Sequence, residues 1–204
     1  QAQLDAVGAV WATDINKHRD LVVKTYSPLV QETDNSGIEV LRDLQYGEDE
    51  RHRLDVYTRS EFIKTEEPPR DVLMFFHGGA FIRGNKSANG AIYDNVSYWF
   101  AHQGCVAVNV EYRLAPQAPY PSGAEDVIAA VRWVQQNITL FGGNVRRIFL
   151  MGHSAGGSHV AGALFDPAVP DRLSDADVAG AMLISARLVA DVLPDNPNAN
   201  GVRA

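Results

Sequence analysis

A serine between two glycines is the residue of this chain whose type and spacing best suit covalent chemistry. Ser154 stands in "FLMGHSAGG", where an apolar run ends and a helical pattern begins. The pattern Gly-x-Ser-x-Gly at a strand-to-helix turn is typical of a nucleophile elbow, which exposes the hydroxyl at a strained backbone position. Gly152 and Gly156 avoid collisions between the strand and the helix on either side. The pattern predicts that Ser154 attacks a carbonyl carbon and forms an acyl-enzyme.

A glycine-rich stretch earlier in the chain is the predicted companion of this serine. The segment "FFHGGAF" ends an apolar strand pattern with His77 and a run of small residues up to Phe81. Small residues let backbone N–H groups turn toward the negative oxygen that develops when a carbonyl is attacked. The amide of Ala155, at the start of the helix after Ser154, adds a donor and the helix dipole. We expect the two loops to meet at one site, and we interpret His77 as a loop-organising residue rather than a base.

The elements that must hold these loops are predicted from apolar patterns. Four apolar runs separated by helical segments predict an α/β fold, with a parallel sheet covered on both faces; they are "VLMFFHG", "CVAVNVEY", "RIFLMGH" and "VAGAMLISA". Before them, "IEVLRDLQYG" and "RHRLDVYTR" predict a β-hairpin around the acidic turn "EDE". Helical spacing of apolar residues predicts an N-terminal helical segment over about residues 1–30. We expect residues 1–204 to form a single domain.

The helix between the second and third of these strands has the clearest predicted boundary. Ser122 and Glu125 fit a capping box just after Pro121. Apolar residues then recur on one helical face, at Val127, Val131, Val134 and Ile138. Asp126 lies in the first turn, where the helix dipole favours a carboxylate. We interpret Asp126 as structural, because it precedes the nucleophile and lies on a different element.

Charge and composition exclude several classes of protein. The chain carries 18 Lys and Arg against 25 Asp and Glu, a formal net charge of -7, so the basic footprint of a nucleic-acid-binding protein is absent. No apolar run approaches the roughly 20 residues that span a bilayer, and the N-terminus lacks a signal-peptide pattern. The single cysteine, Cys105, lies in an apolar run and is interpreted as a small core residue. We expect no nucleic-acid partner and no membrane span, and the cytoplasm is the favoured location.

Several motifs in one order connect this chain to a known superfamily. "HGGAF", "NVEYRLAPQAPYP", "FGGN" and "GHSAGG" resemble the α/β-hydrolases, specifically the esterases similar to hormone-sensitive lipase, the small carboxylesterases and the arylformamidases. "NITLFGGN" is also similar to the type-B carboxylesterases, and the resemblance covers about Glu39 to Ala186. It implies an α/β-hydrolase fold with Ser154 as nucleophile and an oxyanion hole supplied or shaped by Gly78, Gly79, Ala80 and Ala155. It also implies that the neighbouring loop is organised by Tyr112, Arg113, Pro116, Pro119 and Pro121.

The sequence does not provide an obvious base for this serine. A serine hydroxyl needs a base oriented by a carboxylate, and in this superfamily the chain order is serine, acid, histidine. The histidines are His18, His52, His77, His102, His153 and His159. Only His159 follows Ser154, and its place in the same helix puts it roughly 7.5 Å along the axis and about 140° around it. We interpret His159 and His153 as packing or polar-network residues.

The carboxylates after the serine are no better placed. They are Asp166, Asp171, Asp175, Asp177, Asp191 and Asp195. The first four lie on or between the elbow helix and the next strand, whereas the superfamily places its acid after a later strand. Asp191 is at best a substitute for that acid. We therefore expect the strands with the catalytic acid and histidine to lie outside these 204 residues.

Three interpretations of this missing base remain open. In the first, the sequence is the N-terminal part of a longer hydrolase, with the rest on the same or another polypeptide. In the second, it is a catalytically dead binding protein. In the third, its base comes from another protomer or from an unusual position such as His102. A truncated sheet would leave apolar strand edges unpaired, which is unfavourable for a stable monomer. That argument favours the first interpretation.

The predicted function is hydrolysis of a carboxylic ester through an acyl-enzyme on Ser154. The alternatives are an arylformamidase or other small amidase, and a non-catalytic binding protein of the same fold. The expected partner is a small-molecule ester or amide, joined by a second polypeptide if that polypeptide carries the missing Asp and His. The histidine spacings match no metal-ligand pattern, and we expect no cofactor and no metal. Phe81, Tyr93 and Trp99 are candidate pocket residues, although core packing is the commoner role of such side chains.

Overall fold

A six-stranded sheet is the central element of the computed structural model, which describes residues 2–63 and 68–189. In chain order the strands are β1 (Ile38–Gln45), β2 (Arg53–Arg59), β3 (Arg70–Phe76), β4 (Val106–Val110), β5 (Gly143–His153) and β6 (Gly180–Ile184). The helices are α1 (Ala2–Val10), α2 (Ile15–Gln31), α3 (Asp94–His102), α4 (Ser122–Asn137) and α5 (Ala155–Phe165). Across the sheet the strand order is β1-β2-β4-β3-β5-β6.

The sheet has an antiparallel half and a parallel half. β2 pairs antiparallel with β1 and with β4, whereas β4, β3, β5 and β6 run parallel. The chain leaves β3 for β4 on one side and returns to β5 on the other side, so Phe76 at the end of β3 lies opposite Gly152 near the end of β5. Ligand sites of open parallel sheets form at such reversals of strand order. The predicted hairpin and the predicted parallel sheet are both confirmed.

Helices cover both faces of the sheet, as the apolar runs predicted. On one face, Met74 and Phe76 of β3 belong to a buried cluster that includes Val131 of α4 and Val160 of α5. On the other face, Phe75 of β3 packs in a cluster that α3 covers. Burial of a large apolar side chain stabilises the fold by about 1.5–3 kcal/mol. The apolar side chains from which the strands were predicted are therefore the ones that pack the sheet against the helices.

The predicted capping box at the start of α4 is wrong. Ser122 is the first residue of the helix, Pro121 occupies the N-cap position, and no side chain caps the helix. Instead, the carbonyl of Pro121 accepts hydrogen bonds from the amides of Ala124 at 2.8 Å and Glu125 at 3.1 Å. Because a backbone carbonyl closes this first turn, the Ser122 hydroxyl is not needed as its cap.

The N-terminal segment forms helices, as predicted, and packs loosely. The carboxylate of Asp14 caps α2 by accepting from the Lys17 amide at 3.0 Å. Ile15 and Leu29 of α2 keep more than half of their surface exposed, at 56% and 60%. Ser27 is buried, and its hydroxyl oxygen accepts a hydrogen bond from Asn89 at 3.2 Å. Within the described ranges, none of the helices combines the length and the apolar character that a bilayer crossing demands.

Candidate active site

Ser154 occupies a strained turn between β5 and α5. Its backbone has φ 52° and ψ -117°, in the half of conformational space that residues with a side chain rarely adopt. The amide of Ser154 donates to the carbonyl of Ile184 in β6 at 2.8 Å. A Cβ on Gly156 would lie 2.3 Å from the carbonyl oxygen of Phe76, and one on Gly152 would lie 2.5 Å from the Cα of Gly157. The glycines around Ser154 are therefore required by close backbone packing.

The predicted oxyanion loop lies directly against this serine. A Cβ built on Gly78 would be 3.2 Å from the Cβ of Ser154, and one on Gly79 would overlap the carbonyl oxygen of Arg83 at 1.6 Å. Ala80 and Phe81 both have positive φ, at 53° and 69°. Within residues 2–63 and 68–189, the amides of Gly79, Ala80 and Ala155 donate no hydrogen bond. The loop thus brings uncommitted N–H donors of the two predicted segments to one place.

His77 holds this loop in its shape. The imidazole is fully buried; Nδ1 lies 2.9 Å from the carbonyl oxygen of Gly78, and Nε2 lies 3.0 Å from the carboxylate of Glu111. The ring stacks on Tyr112 at 4.3 Å, and the Tyr112 hydroxyl donates to the His77 carbonyl at 2.6 Å. Both ring nitrogens face acceptors within the fold. The interpretation of His77 as a loop-organising residue is confirmed.

Glu111, whose buried carboxylate contacts Nε2 of His77, was not predicted from the sequence. Glu111 follows β4, accepts from the amide of Lys86 at 2.9 Å and forms an ion pair with Arg51. Arg51 also donates to the carbonyl of Gly84 at 2.9 Å, beyond the oxyanion loop. The position of Glu111 after an apolar strand was a signal that it lies at the carboxyl edge of the sheet. Its ion pair with Arg51 could not be predicted from the neighbouring sequence, because the two residues are far apart in the chain.

The other histidines do not provide a base for Ser154. The ring of His153 faces Tyr93, and burial lowers the pKa of His153. His159 is buried between the rings of Phe81 and Tyr112, and burial lowers the pKa of His159 to about 4. His102 ends α3, which precedes β4, and therefore lies at the opposite end of the strands from the elbow; it bonds Asn35 at 3.1 Å.

Asp126, Asp166 and Asp177 are engaged with other side chains. Asp126 is buried, accepts from Arg113 at 2.6 Å and contacts His52 at 3.1 Å, so its structural interpretation is confirmed. Asp166 bonds the hydroxyl of Tyr120, and Asp177 pairs with Arg132. The predictions for Asp191 and Asp195 fall outside the described residues. No hydrogen bond joins the Ser154 hydroxyl to a side chain within residues 2–63 and 68–189.

A cavity of about 680 Å³ runs along the helix that follows the serine. Its wall includes Phe81 from the loop after β3, Ser158 and His159 from α5, and Tyr120 and Leu188. The amide of Ser158 donates to the carbonyl of Ser154 at 3.1 Å, so the cavity begins one helical turn from the serine. Of the other two candidate pocket residues, Tyr93 contacts the elbow, whereas Trp99 is 57% exposed on the outer side of α3.

Comparisons with known proteins agree with this architecture. The profile of a family described as alpha/beta hydrolase fold matches residues 73–202. Carboxylesterase 1D of Mus musculus is 33% identical over 161 residues, which cover 74% of this chain and 27% of that protein. Esterase LipC of Mycobacterium tuberculosis is 35% identical over 116 residues, which cover 57% of this chain and 27% of that protein. The chain therefore spans about a quarter of the length of these relatives.

A solved structure gives the same fold. Esterase B from Lactobacillus rhamnosis superposes with a TM-score of 0.56 at 23% sequence identity, over 78% of this chain and 47% of that chain. At this identity the likeness concerns the arrangement of strands and helices.

Proposed function

This chain belongs to the α/β-hydrolase fold family, and from that premise we propose that it carries the nucleophile of a carboxylic ester hydrolase that acts through an acyl-enzyme on Ser154. The observation that carries the proposal is the contact between the two loops. Ser154 sits at a strained turn at the start of α5, and Gly78 of the oxyanion loop packs against its side chain. Attack on a carbonyl requires a nucleophile with backbone N–H donors close to it.

In the proposed reaction, the Ser154 hydroxyl attacks the ester carbonyl and loses its proton to a base. The carbonyl oxygen becomes negative, and the amides of the oxyanion loop and of Ala155 stabilise it by hydrogen bonds. The Ala155 amide lies at the N-terminus of α5, where the helix dipole also favours negative charge. Collapse of this intermediate releases the alcohol, and water then releases the acid from Ser154.

The proposal requires a base and an orienting acid from outside residues 2–63 and 68–189. None of the histidines within those ranges is hydrogen-bonded to the Ser154 hydroxyl, and Asp166 and Asp177, which follow α5, are paired with other side chains. The base and acid are supplied by the same polypeptide or by a second one. The nucleophile and the oxyanion donors are the part of the machinery that the described residues contribute.

The direct test is an intact-mass measurement of the full-length protein after exposure to a fluorophosphonate. We expect one phosphonyl adduct on the wild type, mapped to Ser154 by peptide sequencing, and none on Ser154→Ala. Ser122→Ala, which changes a serine that caps nothing at the start of α4, serves as the control and keeps the adduct. An unlabelled wild type, or a label on Ser154→Ala, would overturn the proposal.

A comparison of substrates tests the ester assignment separately. We expect the full-length protein to turn over short p-nitrophenyl esters faster than N-formylkynurenine. The elbow and the oxyanion loop serve both reactions, so the ratio of the two kcat/KM values decides between them. Faster cleavage of the formamide would replace the ester assignment by an amidase.

A further inference from the structure

The chain turns back to the start of the oxyanion loop at Gly84. This residue has φ 101°, and a Cβ on it would lie 2.6 Å from the carbonyl oxygen of Gly78 and 3.0 Å from Nδ1 of His77. The uncommitted amides of Gly79 and Ala80 lie in the stretch between these two ends. The positions of those amides therefore depend on how the ends at His77 and Gly84 are held together.

The carboxylate of Glu111 binds at both ends of this stretch. One oxygen lies 3.0 Å from Nε2 of His77, at the start. The other oxygen accepts from the amide of Lys86 at 2.9 Å, shortly after Gly84. Glu111 is buried, and a buried carboxylate is unfavourable unless it is paired and hydrogen-bonded. Its place in the fold therefore requires a cation.

Arg51, in the turn between β1 and β2, provides that cation and two further contacts. Its Nη2 forms an ion pair with Glu111 and also donates to the carbonyl of Gly84 at 2.9 Å. Its Nε donates to the carbonyl of Tyr112 at 2.8 Å, and the Tyr112 hydroxyl donates to the carbonyl of His77 at 2.6 Å. One guanidinium thus contacts the Gly84 end directly and the His77 end through Glu111 and Tyr112.

We infer that Arg51 is a positioning residue of the proposed hydrolase: it holds the two ends of the oxyanion loop together and so sets where the Gly79 and Ala80 amides lie relative to Ser154. This inference rests on the proposed function. Within the described ranges the Arg51 side chain makes no hydrogen bond to Ser154, so its effect on the reaction passes through the loop. Arginine suits the position because its planar fork directs several N–H donors at fixed angles.

The neighbouring cations do not share this role. Arg51 lies at a polar cavity of about 390 Å³ whose wall also includes Arg53 and Lys86. The Lys86 ammonium pairs with Asp43 and with Asp55, each at 2.8 Å. Nη1 of Arg53 is buried and has no hydrogen-bond partner in the part of the chain that the structure describes. Arg53 therefore offers a matched control, with the same side chain at the same cavity.

The test is the rate of phosphonylation of Ser154 in the full-length protein with Arg51→Lys. Lysine keeps a positive charge beside Glu111 but lacks the fork that holds the carbonyls of Gly84 and Tyr112. We expect the second-order rate constant to fall roughly tenfold, because small displacements of oxyanion donors have effects of that order. The labelled fraction at completion should equal that of the wild type. Ester turnover should lose kcat with KM little changed, as it does when an interaction made in the transition state is weakened.

Arg51→Met separates positioning from charge compensation. This variant loses the contacts and also leaves Glu111 without its cation, so we expect a larger fall in the rate constant, of roughly a hundredfold. If Arg51 served only to neutralise Glu111, Arg51→Lys would label at the wild-type rate and Arg51→Met alone would be slow. That result would overturn the inference and leave the proposed function intact.

The control is Arg53→Lys, which makes the same exchange at the same cavity. We expect its labelling rate to equal that of the wild type. A loss equal to that of Arg51→Lys would assign the effect to the cavity in general and overturn the inference. A lower labelled fraction in Arg51→Lys with an unchanged rate constant per labelled site would mean a merely structural role and would overturn it too. A wild type that does not label overturns the proposed function, and the role of Arg51 with it.

Discussion

The two halves of the sheet are held in different ways. In the antiparallel half, charged side chains tie the strands to the helix layer: Arg42 of β1 contacts Asp55 of β2 and Asp94 of α3, each at 2.7 Å. In the parallel half, around the ends of β3 and β5, backbone packs directly on backbone through Gly152 and Gly156. The candidate active site lies in the half that uses glycines. Tolerance to substitution, pH and salt should therefore differ between the halves.

The outer edges of the sheet show the same contrast. β1, at the antiparallel edge, carries Arg42 and Asp43 beside an irregularity in its pairing with β2, a common way to protect an edge. β6, at the other edge, has the sequence "GAMLI", with Met182 and Ile184 exposed at 39% and 43%. Among the described residues β6 pairs with β5 alone. Ser154 donates its amide to β6, so the nucleophile depends on the apolar half.

Gly156→Ala should have the largest effect. The new methyl group would lie 2.3 Å from the carbonyl oxygen of Phe76 and 2.4 Å from that of His77, and neither backbone group can move without shifting the oxyanion loop. We expect about 3 kcal/mol of lost stability from overpacking and a loss of Ser154 labelling of roughly a hundredfold. Urea unfolding and fluorophosphonate labelling measure the two effects.

Gly8→Ala is the control for that substitution. Gly8 lies in α1, and a Cβ there would meet no atom within 4 Å. Alanine should leave labelling unchanged and raise stability slightly, since it favours a helix more than glycine does. An equal loss in the two variants would mean that close packing at the elbow is not what makes Gly156 necessary.

Arg42→Met should have the next largest effect, in the other half. Asp55 and Asp94 are buried at 0% and 1% exposure and would lose a shared cation. Removal of one partner of a fully buried pair costs about 3–5 kcal/mol. We expect a smaller loss of about 2 kcal/mol here, because Arg42 is itself partly exposed and Asp55 keeps its ion pair with Lys86 at 2.8 Å. Arg19→Met, which removes an exposed pair with Asp20, should have little effect on urea unfolding. If Arg42→Met and Arg19→Met lost similar amounts of stability, burial of the carboxylates would not be what makes Arg42 important.

Acid should act on the same network. Burial alone would raise the pKa of Asp94, but hydrogen bonds from Ser87, Tyr57 and Arg42 outweigh it and hold the pKa below its usual value. A carboxyl with a depressed folded pKa stabilises the protein above its unfolded pKa of about 3.9, and this contribution is lost as pH falls through the folded value. The stability difference between wild type and Asp94→Asn should therefore shrink as urea unfolding is moved from pH 7 to below pH 4. A constant difference would show that the Asp94 charge does not contribute.

Sequence patterns predicted the parts of this molecule that depend on local order. The apolar runs predicted β3 to β6, and the glycine spacing predicted the elbow, because both follow from which residues are neighbours in the chain. The contacts of Arg42 with Asp94 and of Tyr93 with His153 join residues 52 and 60 positions apart. Such pairs depend on strand register and loop shape, which an apolar pattern does not specify. The capping box failed for a related reason, since a backbone carbonyl performed the task that was predicted for a hydroxyl.

His159→Leu should have the smallest effect on the free energy of unfolding at pH 7, and it should raise this free energy, whereas Gly156→Ala and Arg42→Met lower it. Nε2 of His159 is buried without a hydrogen-bond partner in the described part of the chain, beside Phe81 and Tyr112. Leucine removes this unsatisfied atom, so we expect a gain of about 1 kcal/mol in the free energy of unfolding. Burial lowers the pKa of His159 to about 4, below its unfolded value of about 6.5.

The pH dependence of that gain completes the comparison between the halves. Because the unfolded chain binds a proton that folded His159 does not, the wild type loses stability as pH falls from about 6.5 to about 4. The leucine variant should not lose it, so its advantage should grow over this range. The packing of α4 against α5 would then lose stability between about pH 6.5 and pH 4, and the Arg42–Asp94 network would lose stability below pH 4. If the stability gain of His159→Leu did not change with pH, His159 would not account for any loss in the upper range.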